Sequence, residues 1–444
     1  MSPAAGVNIP LLPKGEGAAK PASVAGAVFN VATTIVGAGI MSIPATVKVV
    51  GVIPAFFMIL IIAMLAEVSV DFLLRFTHSG ETSTYSGVMR EAFGPAGAIA
   101  TQIFVIITNY GALIMYLIII VSGRHFGLAF VAKPKGDVLS GKGEHLGILQ
   151  QLFGVHWWNC REFALLVTLV CVMLPLVFYR RVESLKFSSA ISTLLAVAFV
   201  GICSGMAIAA LFAGKTHFPR LIPHLDEQTS FFDLFTVVPV IVTAFTFHFN
   251  VHPIAFELAK PSDMGTAVRI AIVLCAVIYF SIGLFGYLLF GDSIKSDILI
   301  NFDQNAKSAV GSLLNSVVRI SYAVHIMLVF PLLNFALRTN IDELLFPKMS
   351  QLATDKKRFA AITLVLLVSI YLAAIAVPDI WFFFQFMGST SALCLAFVFP
   401  GAIALRDVQG ISTRGDKIIA LVMIILAVGT SAVAISTNIY NLLH

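Results

Sequence analysis

Charged residues are scarce in this sequence. Only 11% of the 444 residues are Asp, Glu, Lys or Arg, whereas 59% are hydrophobic. A soluble globular chain is about a quarter charged and about half apolar. The mean hydropathy of +0.96 reflects apolar residues spread over the whole length, which excludes a soluble fold and predicts a polytopic membrane protein.

Cysteine and glycosylation signals are also sparse. The chain has five cysteines, most of them inside apolar runs, so no disulfide framework is indicated. No Asn-x-Ser/Thr sequon marks an exposed loop. The net charge of +5 is modest and comes from short basic loops, so we expect a lipid bilayer and no nucleic acid as a partner.

About eleven apolar runs are long enough to cross a bilayer as helices. We therefore predict an all-α polytopic membrane protein with a disordered tail at 1–22 and a transporter-like membrane domain at 23–438. Ten core spans would occupy about 24–404, and span 11 would occupy about 415–438. Lys and Arg concentrate in the loops that share a side with the amino terminus, which predicts a cytoplasmic amino terminus and places His444 on the opposite side, together with the long loop 124–161.

The first span contains "TTIVGAGIMSIP", from Thr33 to Pro44. Gly37 and Gly39 disfavour a continuous helix, and so does the proline that follows them. A broken helix is tolerated in a bilayer where its backbone groups meet a ligand, an ion, water or protein. Close packing of small residues against another helix is the alternative explanation for this segment.

The sixth span carries a second interruption, "TAFTFHFNVHP", from Thr243 to Pro253. His248 and Asn250 lie in or near the middle of the span, where polar side chains do not suit a lipid-facing helix. Interruptions at corresponding positions of two halves indicate an inverted-repeat transporter. We therefore expect a 5+5 repeat with broken helices 1 and 6.

The helix ends at such breaks predict the class of ligand. The start of a half-helix offers unpaired N–H groups and the positive end of a dipole, which suit a carboxylate. Free carbonyl groups and the end of the other half-helix suit an ammonium group or a cation. An amino acid carries both charges, so the breaks favour an amino-acid substrate.

Three motifs together resemble the amino acid/auxin permease family: "FNVATTIVGAGIMSIP", "TYSGVMREAFG" and "AFTFHFNVHPIAFELAKP". They are most similar to its plant vacuolar amino-acid transporters and its sodium-coupled neutral amino-acid transporters. The resemblance implies an APC-type fold, no cofactor, and a substrate site between spans 1 and 6. The residues that it places at the site are Thr33, Thr34, Val36, Gly37, Ala38, Gly39, Phe245, Thr246 and His248. It favours a vacuolar membrane, while the plasma membrane and the endoplasmic reticulum stay open.

The sequence departs from the sodium-coupled relatives at two positions. Those relatives have an Asn where Thr33 stands here, and a hydroxyl side chain near Met327, where this chain reads "HIMLVFP". A hard cation prefers oxygen ligands. We therefore expect protons, and not sodium, to drive or modulate transport.

Three side chains inside the spans are the candidates for proton coupling: Glu67, His248 and Arg319. Glu67 lies deep in span 2 and shares a face with Asp71, and both the depth and the like charge favour its neutral form. Asp71 has Arg75 one turn later as an expected ion-pair partner. Arg319 lies on a polar stripe of span 8, where it could pair with Glu67, a substrate carboxylate or backbone carbonyls. His325 on the same span is expected to be a packed, hydrogen-bonded histidine.

Several other functions are compatible with parts of this pattern. An amino-acid sensor or a sodium-coupled symporter could have the same binding site. An ion channel is disfavoured because no repeated filter is visible. A membrane metalloenzyme is disfavoured because the pair His248 and His252 lacks an intervening general-base Glu, so we expect no enzyme and no metal site.

Overall fold

The structure is a computed structural model that describes residues 22–120, 154, 156–157, 161–180, 182–216, 218–223, 231–302, 309–350, 352–376 and 380–443. Over these residues the secondary structure is helical, which confirms the all-α fold class. Almost all of the expected tail, most of the 124–161 loop and His444 lie outside the described residues.

The first half of the chain contains helices on both sides of a long connection. They are α1 (Val24–Ile35), α2 (Gly39–Val50), α3 (Val52–Ser79), α4 (Tyr85–Ile120), α5 (Arg161–Thr168, continued by a π-helical turn at Leu169–Met173 and by Leu174–Val177) and α6 (Lys186–Phe212).

The second half begins with two short helices and continues with longer ones. They are α7 (Val237–Ala244), α8 (His248–Glu257), α9 (Met264–Phe290), the short α10 (Ile298–Asn301), α11 (Ala309–Leu345), α12 (Lys356–Ala376), α13 (Ile380–Ser389), α14 (Ser391–Leu393, a π-helical turn at Cys394–Val398 and Phe399–Arg406) and α15 (Arg414–Leu443).

Eight helical segments among the described residues are long and apolar enough to cross a membrane, when Phe231–Glu257, which contains α7 and α8, is counted as one. The bent pair α1 and α2 makes a ninth if it is one span. Two shorter apolar helices cover Glu162–Val177 and Ser391–Arg406. The chain is therefore an integral, multi-pass membrane protein. The count of eleven spans stays a prediction.

The helix bundle has two ends, called the Ala22 face and the Gly51 face after residues that lie on them. On the Ala22 face, the Ala22 amide donates to the Glu257 carbonyl at 2.8 Å, which joins the start of α1 to the end of α8. On the Gly51 face, the amide of Val52 donates to the Arg220 carbonyl at 2.9 Å. Both interrupted segments lie between these two faces, where α4, α6, α9 and α11 surround them.

The helix axis bends by 55° between α1 and α2. Pro44 and Pro253 lie inside α2 and α8 and not at the interruptions themselves, which differs from the expectation that each proline forms part of its break. Each proline is the sixth residue of its helix, so it removes one amide from a ladder that has already begun.

Candidate functional site

Three consecutive backbone carbonyls at the first interruption each accept a hydrogen bond from a side chain of another helix. The donors come from α9 and α11, and each is buried. The pairs are Tyr279 Oη with Ile35 at 2.5 Å, His325 Nε2 with Val36 at 2.6 Å, and Tyr322 Oη with Gly37 at 2.9 Å. Because buried carbonyls need partners, these side chains stabilise the open backbone.

The amide groups at this interruption are arranged differently. Tyr116 on α4 accepts a hydrogen bond from the Ala38 amide. Gly39 is the first residue of α2, and the leading amides of a helix have no acceptor within the helix. With the carbonyls already bonded to protein, these amides and the positive end of the α2 dipole are the backbone groups suited to an anion.

Gly37 and Gly39 both stand where a side chain does not fit. A Cβ at Gly37 would collide with the Tyr116 hydroxyl, and a Cβ at Gly39 would lie 2.6 Å from the Cβ of Ala244. Ala244 is the last residue of α7, so the two interrupted spans approach each other closely at Gly39.

The second interruption covers Phe245–Phe247, between α7 and α8. The Ala244 carbonyl lies 2.9 Å from the Tyr279 hydroxyl, which also contacts the carbonyl of Ile35. The ring of Phe245 packs edge-on against Tyr279 with 5.2 Å between centroids. One tyrosine therefore contacts both interruptions, and its single proton is shared between two acceptors.

The two threonines at the end of α1 point to different helices. Thr33 donates to the Ser189 carbonyl at 2.8 Å and lies 3.0 Å from the Thr193 hydroxyl, both on α6. Thr34 donates to the Asn30 carbonyl and accepts from Asn250 on α8 at 3.2 Å. Of the two, Thr34 joins the interrupted spans, and Thr33 fastens α1 to α6.

Thr246 and His248 follow the second break. The hydroxyl of Thr246 donates to the Val242 carbonyl at 2.7 Å. His248 Nε2 lies 2.7 Å from the Ser69 hydroxyl on α3. The Ser69 hydroxyl also lies 2.9 Å from the Ala66 carbonyl; when it donates there, Nε2 carries the ring proton and Nδ1 keeps a lone pair.

Three buried acceptor atoms near the breaks have no hydrogen-bond partner among the described residues. They are Asn30 Oδ1, Asn250 Oδ1 and His248 Nδ1. Asn250 donates through its own amide nitrogen to Thr34, which fixes Oδ1 as the remaining acceptor. Buried polar groups are normally paired, so an unpaired set of acceptors indicates a place for a ligand that donates hydrogen bonds.

A cavity of about 680 Å³ opens near the Ala22 face. The end of α3, the loop at 80–83 and α8 line it, with Thr77 and His252 among the polar side chains. His252 Nε2 lies 2.8 Å from the Thr77 hydroxyl. His252 lies one helical turn from His248, so the cavity is lined by the same helix that begins at the second interruption.

Glu67 does not lie isolated at depth, and it does not pair with Arg319. Its carboxylate lies 2.7 Å from Arg269 Nε on α9, and its side chain is 34% exposed. The suggested pair of Glu67 with Arg319 is not formed, because the partner of Glu67 comes from α9, about two hundred residues away. The expected pair of Asp71 with Arg75 is confirmed, at 2.8 Å.

Arg319 is buried on α11, on the Gly51 side of Tyr322. Its charge acts on Asp297, which precedes α10 in the loop between α9 and α11. The Asp297 carboxylate accepts a hydrogen bond from the Leu299 amide at 2.8 Å. Burial raises the pKa of Asp297 to about 6, although the Leu299 amide and the Arg319 guanidinium favour the charged form. The sequence analysis named Glu67 as a possible acidic partner of Arg319, and in the structure the acid that its charge acts on is Asp297.

The raised pKa of Asp297 predicts a pH-dependent stability. We expect wild type to lose about 1–3 kcal/mol between the ordinary carboxyl pKa and about pH 6, because the folded state holds the proton more tightly than the unfolded chain. Asp297→Asn keeps an acceptor for the Leu299 amide and removes the buried charge. Its apparent Tm should exceed that of wild type at pH 7.5 and converge with it near pH 4; equal differences at both pH values would contradict the assignment.

Comparison with known proteins gives the family. A model of the family described as "Transmembrane amino acid transporter protein" matches residues 20–440. The chain belongs to this family. Its members, and the relatives described next, are transporters and not enzymes.

Curated relatives of this family match over nearly their full length. Amino acid transporter AVT6C of Arabidopsis thaliana is 56% identical over 97% of this chain and 98% of its own. AVT6D is also 56% identical, over 99% and 98%, and AVT6A is 46% identical over 95% and 89%. The expected resemblance to plant amino-acid transporters is confirmed.

A solved structure is similar in fold to this family member. It is a Na+-coupled sialic acid symporter in a substrate-bound outward-open state, with a TM-score of 0.51 over 94% of this chain and 90% of that one. The sequences are 12% identical, so the likeness shows the fold alone.

Sequence reasoning missed the residues that stabilise the backbone of the breaks. Tyr322 lies one turn from Arg319 on the recognised polar stripe of α11, and that spacing could have identified it. Tyr279 and Tyr116 lie in apolar stretches without a polar pattern, so the sequence carried no signal for them. Asn30 was inside a quoted motif but was not singled out as a site residue.

Proposed function

We propose that this protein is a secondary active transporter of amino acids that alternates access around the interruptions between α1 and α2 and between α7 and α8. The observation that carries the proposal is the set of three unpaired buried acceptors among the described residues, Asn30 Oδ1, Asn250 Oδ1 and His248 Nδ1, on the helices α1 and α8 that flank the breaks. The names of the relatives, which are amino acid transporters, support the same substrate class.

Different groups of the site match the ammonium group and the carboxylate group of an amino acid. A substrate ammonium group has only donors, so it complements the three unpaired acceptors. The carboxylate complements the leading amides of α2 at Gly39. The carbonyls of Val36 and Gly37 are less suited to the ammonium group because His325 and Tyr322 already donate to them.

We further propose that protons, and not sodium, are the coupling ion. Thr33 stands where sodium-coupled relatives have an Asn, and its hydroxyl donates a hydrogen bond to the Ser189 carbonyl on α6. Glu67, His248 and Arg319 remain the proposed coupling residues, and their contacts favour His248 over the other two. His248 lies closest to the proposed ammonium site, whereas the pair with Arg269 explains Glu67 without a proton, and Asp297 is the charge near Arg319.

The proposed orientation has the Ala22 face in the cytoplasm, as the distribution of Lys and Arg favours. A vacuolar membrane is the proposed location. On this assignment the 680 Å³ cavity faces the cytoplasm, and it would be the route by which substrate leaves or enters past His252.

Uptake by purified protein in proteoliposomes tests the proposal. We expect counterflow of a labelled amino acid in choline buffer without sodium, stimulated by a pH gradient. His248→Ala should reduce counterflow at least about tenfold, because loss of a ligand hydrogen bond in a buried site costs about 1–3 kcal/mol. Ser83→Ala, at the mouth of the cavity and away from the acceptors, is the control.

The same measurement separates the alternative functions. Tight binding of an amino acid without counterflow would establish a sensor. A strict sodium requirement with no response to the pH gradient would establish a sodium symporter and contradict proton coupling. Normal counterflow by His248→Ala would remove His248 from the substrate site.

A further inference from the structure

His325 on α11 has backbone carbonyl oxygens beside both of its ring nitrogens. Nε2 lies 2.6 Å from the Val36 carbonyl at the first interruption. Nδ1 lies 2.8 Å from the Ser192 carbonyl on α6 and 2.9 Å from the Ser192 hydroxyl. The ring is fully buried and joins three helices, α1, α6 and α11.

A carbonyl oxygen only accepts hydrogen bonds, so this geometry has a direct consequence for the proton count. A ring with protons on both nitrogens can donate to the carbonyls of Val36 and Ser192 at the same time. The Ser192 hydroxyl is then free to donate to the His325 carbonyl, which lies 3.2 Å away. The charged ring is therefore completely hydrogen-bonded.

The neutral ring is satisfied by a rotation of one hydroxyl. Nε2–H keeps its bond to the Val36 carbonyl, and the Ser192 hydroxyl turns to donate to the lone pair on Nδ1. Both protonation states thus have a hydrogen bond at each ring nitrogen, but in the neutral ring the lone pair on Nδ1 also faces the Ser192 carbonyl oxygen at 2.8 Å, which weakens the contact with α6. Hydrogen bonds from a charged donor are about twice as strong as neutral ones, so protonation tightens the hold on α1.

His248 does not have this property. Its Nε2 faces Ser69, and its Nδ1 has no partner among the described residues. A proton added there in the absence of substrate would leave a buried charged donor unpaired, which is costly. His248 is suited to contact substrate, and His325 is suited to exchange a proton.

We propose that His325 is the proton switch of this protein: it takes a proton from water onto Nδ1 and releases it again as α1 is fastened to, or freed from, α6 and α11. The N–H bond forms as an O–H bond of a hydronium ion breaks and leaves water, and release of the proton is the reverse. The inference rests on the proposed proton-coupled transport and names the residue through which the proton acts. His325 is a positioning residue, because it acts through the backbone of Val36.

The surroundings of the ring contain few groups that could compete for this role. On α11 itself, Tyr322 is the titratable neighbour, with ring centroids 5.4 Å apart, and Arg319 lies nearly two turns away. On α6, the Ser192 hydroxyl contacts the ring itself, and the hydroxyls of Thr193 on α6 and Thr33 on α1 contact each other and the Ser189 carbonyl. On the neighbouring helices α4 and α9, the titratable groups near Tyr322 are Tyr116 and Tyr279.

The first test is His325→Gln. The glutamine amide can donate to Val36 and accept from the Ser192 hydroxyl, so it imitates the neutral ring but cannot gain a proton. We expect the stimulation by a pH gradient to disappear, measured as the ratio of the uptake of this variant with the gradient to its own uptake without it. His156→Gln, an exposed histidine outside the site, should keep the stimulation.

The second test is Ser192→Ala, which removes the donor to neutral Nδ1 and keeps the carbonyl that accepts from the charged ring. The midpoint of the pH dependence of uptake should rise by about 0.5–1 pH unit. Ser188→Ala is the matched control, because Ser188 joins the same two helices through the Leu328 carbonyl at 3.1 Å, about one turn away. Its midpoint should not move.

The protonation state of the His325 ring can also be measured directly, without measuring transport. Nitrogen-15 NMR of histidine-labelled protein, with His325→Gln to assign the signal, should show two protonated ring nitrogens at acidic pH and one at alkaline pH. A ring that stays in one state over about pH 4.5–8.5 would overturn the proposal. So would pH-gradient stimulation that persists in His325→Gln. If the wild-type protein exchanged no amino acid while the His325 ring still gained and lost a proton, the proposed transport function would be refuted and the proposed proton switch would stand.

Discussion

We expect Gly39→Leu to reduce amino-acid uptake to background while the protein still inserts into the membrane. A Cβ at this position lies 2.6 Å from the Cβ and 2.9 Å from the Cα of Ala244, so the end of α7 would have to move away from α2. Leucine adds three further carbons beyond that collision. The measurement is initial uptake in proteoliposomes, normalised to the amount of reconstituted protein.

A graded series makes this result specific. Gly39→Ala introduces only the colliding methyl group and should reduce uptake about 5- to 100-fold, the equivalent of about 1–3 kcal/mol of overpacking. Gly205→Leu on α6 is the matched control, because a side chain there meets open space. Equal activity of Gly39→Leu and Gly205→Leu would show that the approach of the two interruptions is not needed for transport.

Tyr279→Phe is expected to lower both uptake and thermal stability. It removes the hydroxyl that lies within hydrogen-bond distance of the carbonyls of Ile35 and Ala244. The Ile35 carbonyl keeps the Gly37 amide at 2.8 Å, whereas the buried Ala244 carbonyl loses this donor. An unsatisfied buried group costs about 1–3 kcal/mol, so we expect at least a tenfold loss of uptake and a lower apparent Tm.

The control for Tyr279 lies on the same helix. Tyr287→Phe removes a hydroxyl that contacts Asp292 at 3.0 Å, near the Gly51 face and away from both interruptions. Its uptake should stay close to wild type. If the two variants behaved alike, the hydroxyl between the interruptions would have no special role.

The sequence contained enough to locate the interruptions, because Gly37 and the two polar groups His248 and Asn250 violate rules that hold for any lipid-facing helix. These are local rules, and they need no knowledge of neighbouring helices. The prolines were less informative. Pro44 and Pro253 fall a turn and a half into α2 and α8, where tertiary packing tolerates the missing amide.

The partners of individual side chains could not be derived in the same way. Arg269 was not suggested as the partner of Glu67 because it is distant in sequence, and the facing of α3 toward α9 is a property of the assembled bundle. Thr33 and Thr34 are adjacent, and only the packed helices determine that one hydroxyl meets α6 and the other meets α8.

The contact between the start of α1 and the end of α8 uses main-chain atoms: the Ala22 amide donates to the Glu257 carbonyl, and the Ala259 amide lies 3.4 Å from the Ala22 carbonyl. Main-chain bonds are insensitive to the identity of the side chains that flank them. Substitutions at Ala22 and Ala259 that fit the available space would therefore leave this junction intact. Proline is the exception, since it lacks the donor, so a saturation screen would detect the junction mainly through the loss of proline variants at these two codons.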